Sequence, residues 1–274
     1  MAAVALQNSA FVIVRALSRN TFGDEYSPLE AQVATEAVKL CVCALVCARS
    51  GELGRTARGI RDVLSPAGVY LLMNIMSYMA LRSVDASTFA LISQLKLMAT
   101  ALFAAASGRA AGARRWLAIL VVTLGVLLAA GRAAPPGSAA RAGACLALVE
   151  VGLAGASSVA FESVLKRGDE SVWLRNVQLS CCTLLVGVPA LLVRESVGRG
   201  WTALGGACVL LGAAGGLLVA LSLKHACAVS KSMATACSLV ITTCFQFASS
   251  GKVDAVAACG CAVCCVGVLQ YAIN

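Results

Sequence analysis

The stretch Leu204–Leu223, LGGACVLLGAAGGLLVALSL, decides the fold class of this chain. It holds 20 residues without one charged side chain. An α-helix of that length is long enough to cross the hydrocarbon core of a bilayer, which is about 30 Å thick. Glycine and alanine are frequent in it, and small side chains let membrane helices approach each other closely. We therefore predict a transmembrane helix here.

Apolar runs of the same kind fill most of the chain on either side. Of its 274 residues, 59% are hydrophobic and 13% are charged, whereas a soluble domain carries roughly 25% charged residues. About ten such apolar runs are bounded by charged residues, glycine or proline. They are Ala2–Leu17, Ala31–Ala48, Ser65–Leu81, Ser87–Ser107, Trp116–Gly131, Gly143–Leu165, Val172–Val193, Leu204–Leu223, Ser230–Ser250 and Val253–Ile273. We predict an all-α integral membrane protein of about ten transmembrane helices.

The first run and the loops predict how the chain is inserted. The first run lacks a basic leader and continues into Arg15, so we expect a retained helix rather than a cleaved signal peptide. With the N-terminus in the cytosol, 11 lysines and arginines fall in cytosolic loops and 7 in the opposite loops. This excess favours both termini in the cytosol. The net charge of +9 then reflects loop bias and lipid headgroup contact, not nucleic-acid binding.

Two short sequence similarities within the chain give a hint of internal duplication, although their offsets, 135 and 142 residues, disagree. Lys96–Thr100, KLMAT, resembles Lys231–Thr235, KSMAT, and Leu124–Leu127 resembles Val266–Leu269. A repeat of five helices inverts its second copy, since an odd number of spans reverses direction, and inverted-repeat transporters bind substrate between their halves. We predict two inverted five-helix repeats, covering residues 1–132 and 143–274.

The cysteines are numerous but do not resemble a metal site. Two groups lie inside apolar runs, with no histidine or carboxylate among them. They are Cys41, Cys43 and Cys47, and Cys259, Cys261, Cys264 and Cys265. Buried cysteine behaves as a small hydrophobe, and a zinc site needs thiolates with a hydrated entry route. We predict no metal and no cofactor.

Catalytic chemistry has equally little support. The chain has one histidine, His225. No Ser–His or Cys–His arrangement and no phosphate-binding Walker loop can be read from the sequence. We predict that the protein is not an enzyme.

Ionisable residues inside the apolar runs carry most of the functional signal, because each is costly in lipid unless it faces a wet cavity or a partner. Lys96 lies near the middle of the fourth run with no carboxylate within a helical turn, which favours an anionic ligand over a salt bridge. Lys231 lies in the first turn of the ninth run, where it either contacts ligand or extends to the interface. Glu150, in the sixth run, also lacks a local partner, and its role is open.

Two further pairs fall on single helix faces. Glu36 and Lys39 are spaced i, i+3 and can form an ion pair, which serves either helix packing or the substrate. Tyr70 and Asn74 are spaced i, i+4 and face the same way. They could stack on and hydrogen-bond a nucleobase edge, or they could bond to a neighbouring helix.

Several motifs together resemble one family. The segment Ser83–Phe103, SVDASTFALISQLKLMATALF, resembles the "DA…YQLK…TALF" signature of the nucleotide-sugar transporters. Phe161–Lys166, FESVLK, and Ser171–Gln178, SVWLRNVQ, resemble that family's "FEKVLK…SVWLRNVQL". Gly215–Lys224 is similar to its "GGLLVAVVVKY". The branch most similar to this chain carries UDP-galactose, UDP-N-acetylglucosamine and CMP-sialic acid.

The resemblance implies ten helices in two inverted halves. It also implies exchange of a cytosolic nucleotide sugar for a lumenal nucleoside monophosphate in a Golgi or endoplasmic-reticulum membrane. The family's substrate contacts fall on Tyr70, Asn74, Phe89, Lys96, Ser180, Cys182 and Lys231.

Departures from the family pattern bear on base and sugar selectivity and on transport competence. Phe89 replaces a tyrosine, Ser180 and Cys182 replace a tyrosine and a serine, and Cys227-Ala228 replaces Asp-Asn before the ninth helix. The alternative is a non-transporting relative that acts as a membrane scaffold or glycosyltransferase partner. A homo-oligomer is also open.

Overall fold

The computed structural model describes residues 1–20, 22–56, 60–80, 84, 86–130, 138–167, 170–193, 198 and 200–273. Within these ranges the chain forms 11 α-helices and one short 3₁₀ turn, Leu53–Arg55. The helices are α1 (Ala2–Asn20), α2 (Pro28–Arg49), α3 (Ile60–Ala80), α4 (Ala86–Ser93), α5 (Lys96–Ala106), α6 (Ala113–Ala129), α7 (Ser138–Arg167), α8 (Val172–Leu192), α9 (Ala203–His225), α10 (Ala228–Ser250) and α11 (Ala255–Ile273).

The structure confirms a helical protein and contains several candidate membrane spans. In the described part of the chain, 6 helices are long and apolar enough to span a bilayer. They are α2, α7, α8, α9, α10 and α11, and α9 contains the decisive run Leu204–Leu223. Ten spans in two inverted repeats remain a prediction.

The fourth predicted run is not one continuous helix, so the prediction of a single segment over Ser87–Ser107 is wrong in this detail. Helix α4 ends at Ser93, and α5 begins at Lys96. Between them, the amides of Gln94 and Leu95 donate to the carbonyls three residues earlier, at 3.1 and 3.0 Å. Such bonds tighten the backbone into a 3₁₀ turn, which interrupts the α-helical ladder.

Helix α2 begins three residues before the predicted run, and a capping box explains why. The side chain of Ser27 accepts from the first turn, and the carboxylate of Glu30 accepts from the Ser27 amide at 2.9 Å. These bonds satisfy N–H groups that a helix start leaves without partners. The helix therefore starts at a polar signal that the apolar pattern alone does not show.

The chain divides into two compact units. The first contains Met1–Ala5, Val69–Glu162 and Ala226–Asn274, and the second contains Leu6–Gly68 and Ser163–His225. Each unit draws helices from both halves of the sequence. The predicted halves 1–132 and 143–274 describe sequence repeats, which can differ from units of packing, and they stay a prediction.

In the second unit, two buried cysteines pack as small hydrophobic side chains. Cys43 and Cys47 on α2 are fully buried in an apolar cluster with Leu174 and Val177 on α8. A small hydrophobic side chain suits this position because it fills space where two helices approach.

In the first unit, α6 and α11 approach so closely that glycine is required on both helices. A Cβ added at Gly125 would lie 2.5 Å from the backbone nitrogen of Cys264. A Cβ at Gly260 would clash with the nitrogen of Ala129 and lie 2.7 Å from the Gly125 carbonyl oxygen. Because backbone cannot yield as a flexible side chain can, these glycines fix the distance between the helices.

We therefore expect Gly260→Ala to lower the melting temperature of the purified protein by several degrees, since overpacking a tight interface costs about 1–3 kcal/mol. Gly152→Ala on α7 is the matched control, because a Cβ there meets no described atom within 4 Å. Labelling by a thiol-reactive dye during heating reports unfolding as a rise above the labelling of the exposed cysteines, since Cys264 at this interface is buried. Equal melting temperatures for the two variants would contradict the close-packing argument.

Candidate functional site

Lys96 lies at the start of α5, immediately after the break in the fourth run. It is the first residue of that helix, and its N-cap residue, Leu95, makes no side-chain capping bond. The side chain of Lys96 is 37% exposed. A cation is disfavoured at the positive end of a helix dipole. The Lys96 side chain and the end of the helix therefore both contribute positive potential at the same place. Such an unfavourable local arrangement is typical of a functional site.

Lys231 also lies near the start of a helix, α10. It lies in the first turn of that helix, which contains no acidic residue. Its neighbour Ser232 lies 3.5 Å from Thr100, Oγ to Oγ1, and Thr100 is one turn after Lys96, so the two lysines lie at adjoining helix starts. The structure thus brings together two lysines far apart in the sequence, in the same unit.

The similar sequences KLMAT and KSMAT have the same local structure. The hydroxyl of Thr100 donates to the Lys96 carbonyl at 2.7 Å, and that of Thr235 donates to the Lys231 carbonyl at 3.2 Å. The two helices also meet directly, where the Ser232 hydroxyl donates to Thr100 Oγ1 at 3.5 Å. The two similar sequences therefore make the same hydrogen bond at the start of each helix.

Glu150 is the partner that helical spacing did not predict for Lys96. Glu150 Oε1 on α7 lies 3.8 Å from Lys96 Nζ. Helices α5 and α7 cross closely at Gly155, where an added Cβ would lie 2.8 Å from the Ala99 carbonyl carbon and the Thr100 nitrogen. The prediction that Lys96 lacks a partner is correct for its own helix. It is wrong once the neighbouring helix is included, because α7 supplies the carboxylate of Glu150.

A second buried carboxylate supports the start of α10. Glu162 Oε1 pairs with the Arg109 guanidinium at 2.8 Å, and its Oε2 accepts from the Ala228 amide at 2.8 Å. The N-cap residue Cys227 accepts from the Ser230 amide at 3.4 Å. A negative charge stabilises a helix N-terminus. The Cys227-Ala228 departure therefore leaves this helix start capped, with Glu162 supplying the charged acceptor.

A small cavity lies beside this cap, within the same unit. Its volume is about 100 Å³, and its polar lining comes from Arg109, Arg115, Glu162, Cys227 and Tyr271. The Arg115 guanidinium lies 5.8 Å from the ring centroid of Tyr271, a cation–π distance. The sequence carried no signal for this cluster, because its members come from four separate parts of the chain. The cavity is much smaller than a typical ligand pocket of roughly 300–1,000 Å³.

The remaining predicted site residues fall in both units. In the first unit, Tyr70 is half-buried on α3, Asn74 follows one turn later, and Phe89 is half-buried on α4. In the second unit, Ser180 is buried on α8 and Cys182 is half-buried. Their contacts with substrate remain predictions.

The predicted Glu36–Lys39 ion pair is confirmed, at 2.9 Å. The Ser180 hydroxyl donates to Glu36 Oε2 at 2.7 Å. A Cβ at Gly216 would lie 3.0 Å from Lys39 Cδ, so glycine makes room for the buried lysine stem. Three polar side chains thus satisfy one another, which is what burial requires of charged groups. This observation favours the packing interpretation of the pair.

Comparison with known proteins decides the family. The family model described as nucleotide-sugar transporter matches residues 1–272. The chain belongs to this family. The resemblance carried by the SVWLRNVQ and QLK motifs is thereby confirmed over nearly the whole chain.

Named relatives within the family transport nucleotide sugars. The chain is 29% identical to the UDP-galactose translocator of Canis lupus familiaris over 270 residues, which cover 89% of this chain and 68% of the relative. It is 26% identical to the UDP-N-acetylglucosamine transporter of Homo sapiens over 272 residues, which cover 88% and 83%. Both relatives are transporters by name, not enzymes.

A solved crystal structure also resembles this one. The match has a TM-score of 0.81 and covers 99% of this chain and 97% of the other at 14% identity. At that identity the likeness concerns the fold alone.

Proposed function

We propose that this protein exchanges a cytosolic nucleotide sugar for a lumenal nucleoside monophosphate across a Golgi or endoplasmic-reticulum membrane by alternating access. The observation that carries the proposal is the juxtaposition of Lys96 and Lys231, each in the first turn of a helix, on two helices that meet between Thr100 and Ser232. A phosphate is the natural partner of two such cations.

The electrostatics at the start of α5 favour an anion. The N-terminus of a helix carries a partial positive charge, and transporters point broken helices at anionic substrate groups. Helix α5 follows such a break, and Lys96 adds a full charge to it. The ammonium group is a compact cation on a flexible stem, suited to a phosphate whose position differs between nucleotide sugar and monophosphate.

The substrates we propose are pyrimidine nucleotide sugars. The named relatives carry UDP-galactose and UDP-N-acetylglucosamine, and the sequence resemblance adds CMP-sialic acid. Tyr70 and Asn74 on α3 are the residues proposed to contact the nucleobase. Phe89 has no hydroxyl, so any contact it makes is through its ring.

Uptake into proteoliposomes tests the proposal. Purified protein is reconstituted with UMP, CMP or GMP inside, and labelled UDP-galactose, UDP-N-acetylglucosamine, CMP-sialic acid and a GDP-sugar are offered outside. We expect uptake of at least one pyrimidine nucleotide sugar, stimulated by the matching internal monophosphate. Absence of uptake for the whole panel, in vesicles that hold folded protein, would contradict transport.

The alternative is a relative that no longer transports and serves as a scaffold or glycosyltransferase partner. Two observations favour it: Cys227-Ala228 stands where the family has Asp-Asn, and the Ser180 hydroxyl is committed to Glu36. Thermal stabilisation by nucleotides discriminates between the two. A transporter is stabilised by its nucleotides, and a scaffold without a binding site is not.

A further inference from the structure

Glu150 is a buried carboxylate that its surroundings satisfy poorly. It is 5% exposed, and its Oε2 has no hydrogen-bond partner among the described residues. Its Oε1 lies 3.8 Å from Lys96 Nζ, beyond the range of about 2.7–3.2 Å for an N–H···O hydrogen bond. Buried carboxylates are normally held by several hydrogen bonds. Within the part of the chain that the structure describes, Glu150 is held by one loose ion pair.

Lys96 faces both this carboxylate and open space. Its side chain is 37% exposed, so an incoming anion can reach the ammonium group while Glu150 stays buried. Any phosphate that binds Lys96 therefore comes near a second negative charge. The two anions compete for one cation.

We propose that Glu150 is an internal counter-ion, which neutralises Lys96 in the empty carrier and is displaced from it by the phosphate of the nucleotide. The inference rests on the proposed function and deepens it. Glu150 lowers the affinity for nucleotide, because its charge opposes the phosphate. It also lowers the positive charge of the empty site, because it offsets the repulsion between Lys96 and Lys231.

The competition between Glu150 and a bound phosphate for Lys96 follows from how α5 and α7 pack in the first unit. The crossing of α5 and α7 at Gly155 is set by contact with the backbone of Ala99 and Thr100. Lys96 lies one turn before this contact on α5, and Glu150 lies five residues before it on α7. The pair therefore follows from a backbone approach that only glycine permits.

A carboxylate near a nucleotide sugar could instead accept hydrogen bonds from its hydroxyls. The free oxygen, Oε2, is buried away from solvent, so a ligand hydroxyl does not reach it in this structure. The counter-ion role is therefore favoured. The two roles predict opposite effects of removing the charge.

Binding of UMP to purified wild type, Glu150→Gln and Glu150→Asp, measured by calorimetry, tests the proposal. Glu150→Gln is expected to bind UMP about tenfold more tightly, since it removes a like charge close to the phosphate. Glu150→Asp keeps the charge and is expected to bind as wild type does. Glu150→Met, a second neutral replacement of similar length, is expected to act in the same direction as Glu150→Gln.

Each other outcome overturns the proposal. Weaker binding by both neutral variants would make Glu150 a ligand contact or a positioning residue for Lys96. Tightening by Glu150→Asp equal to that by Glu150→Gln would show that size, not charge, is responsible. If UMP, CMP and GMP bind neither wild type nor the variants, the proposed function fails together with the inference. If wild type binds and the neutral variants are not tighter, the inference alone fails.

Discussion

Nucleotide-sugar exchange by the double variant Lys96→Met/Glu150→Gln is expected to fall about 100-fold below that of Glu150→Gln alone. A hydrogen bond to a charged group contributes roughly 1.5–3 kcal/mol, and each 1.4 kcal/mol is a factor of ten in affinity. The Lys96 ammonium group supplies such a bond to phosphate in the proposed site. Initial rates of labelled UDP-galactose uptake into UMP-loaded proteoliposomes measure the difference.

The comparison is made in the Glu150→Gln background for a structural reason. Lys96→Met alone would leave the buried Glu150 carboxylate without its cation, and removing one partner of a buried pair destabilises a protein strongly. The single variant would then lose activity through folding. In the double variant no charge is left behind, so its melting temperature should match that of Glu150→Gln. Equal exchange rates for these two proteins would show that Lys96 does not bind phosphate.

Obligatory exchange is expected to depend on Lys231 as well. Two unit charges about 5–10 Å apart at an effective dielectric constant near 20 repel by roughly 2–3 kcal/mol. Closing a cavity around Lys96 and Lys231 without an anion therefore costs energy, and a bound phosphate removes that cost. Wild-type uptake should be about tenfold faster or more into UMP-loaded vesicles than into empty ones.

Lys231→Ala should weaken UMP binding. It should also reduce the difference between the uptake rates into UMP-loaded and empty vesicles, because the empty site then holds one cation and closes more easily. Glu150→Gln should act in the opposite direction, since its empty site carries more positive charge. Gly152→Ala, in the same unit with no described neighbour at its Cβ, serves as a control with wild-type coupling. Equally fast wild-type uptake into empty and loaded vesicles would show that the carrier is a uniporter or couples to another ion.

The helical class and the candidate cations could be predicted from the residues alone. A bilayer admits few residue types to its core, so apolar length is enough to identify most membrane-crossing helices. A charge within such a run is conspicuous for the same reason, which is why Lys96 and Lys231 could be singled out. The Glu36–Lys39 pair could be predicted as well, since both residues lie on one turn of one helix.

The partners of these charges were decided only by the tertiary structure. Glu150 meets Lys96 and Ser180 meets Glu36 across different helices, and Glu162 on α7 meets Arg109 in the loop between α5 and α6. Helical periodicity relates residues a few positions apart and contains no information about which helices become neighbours. That choice depends on where backbones can approach, as at Gly155 and Gly260. The sequence alone therefore identified charges that need partners, and the packing of the helices, at Gly155 in the case of Lys96 and Glu150, decided which partners they have.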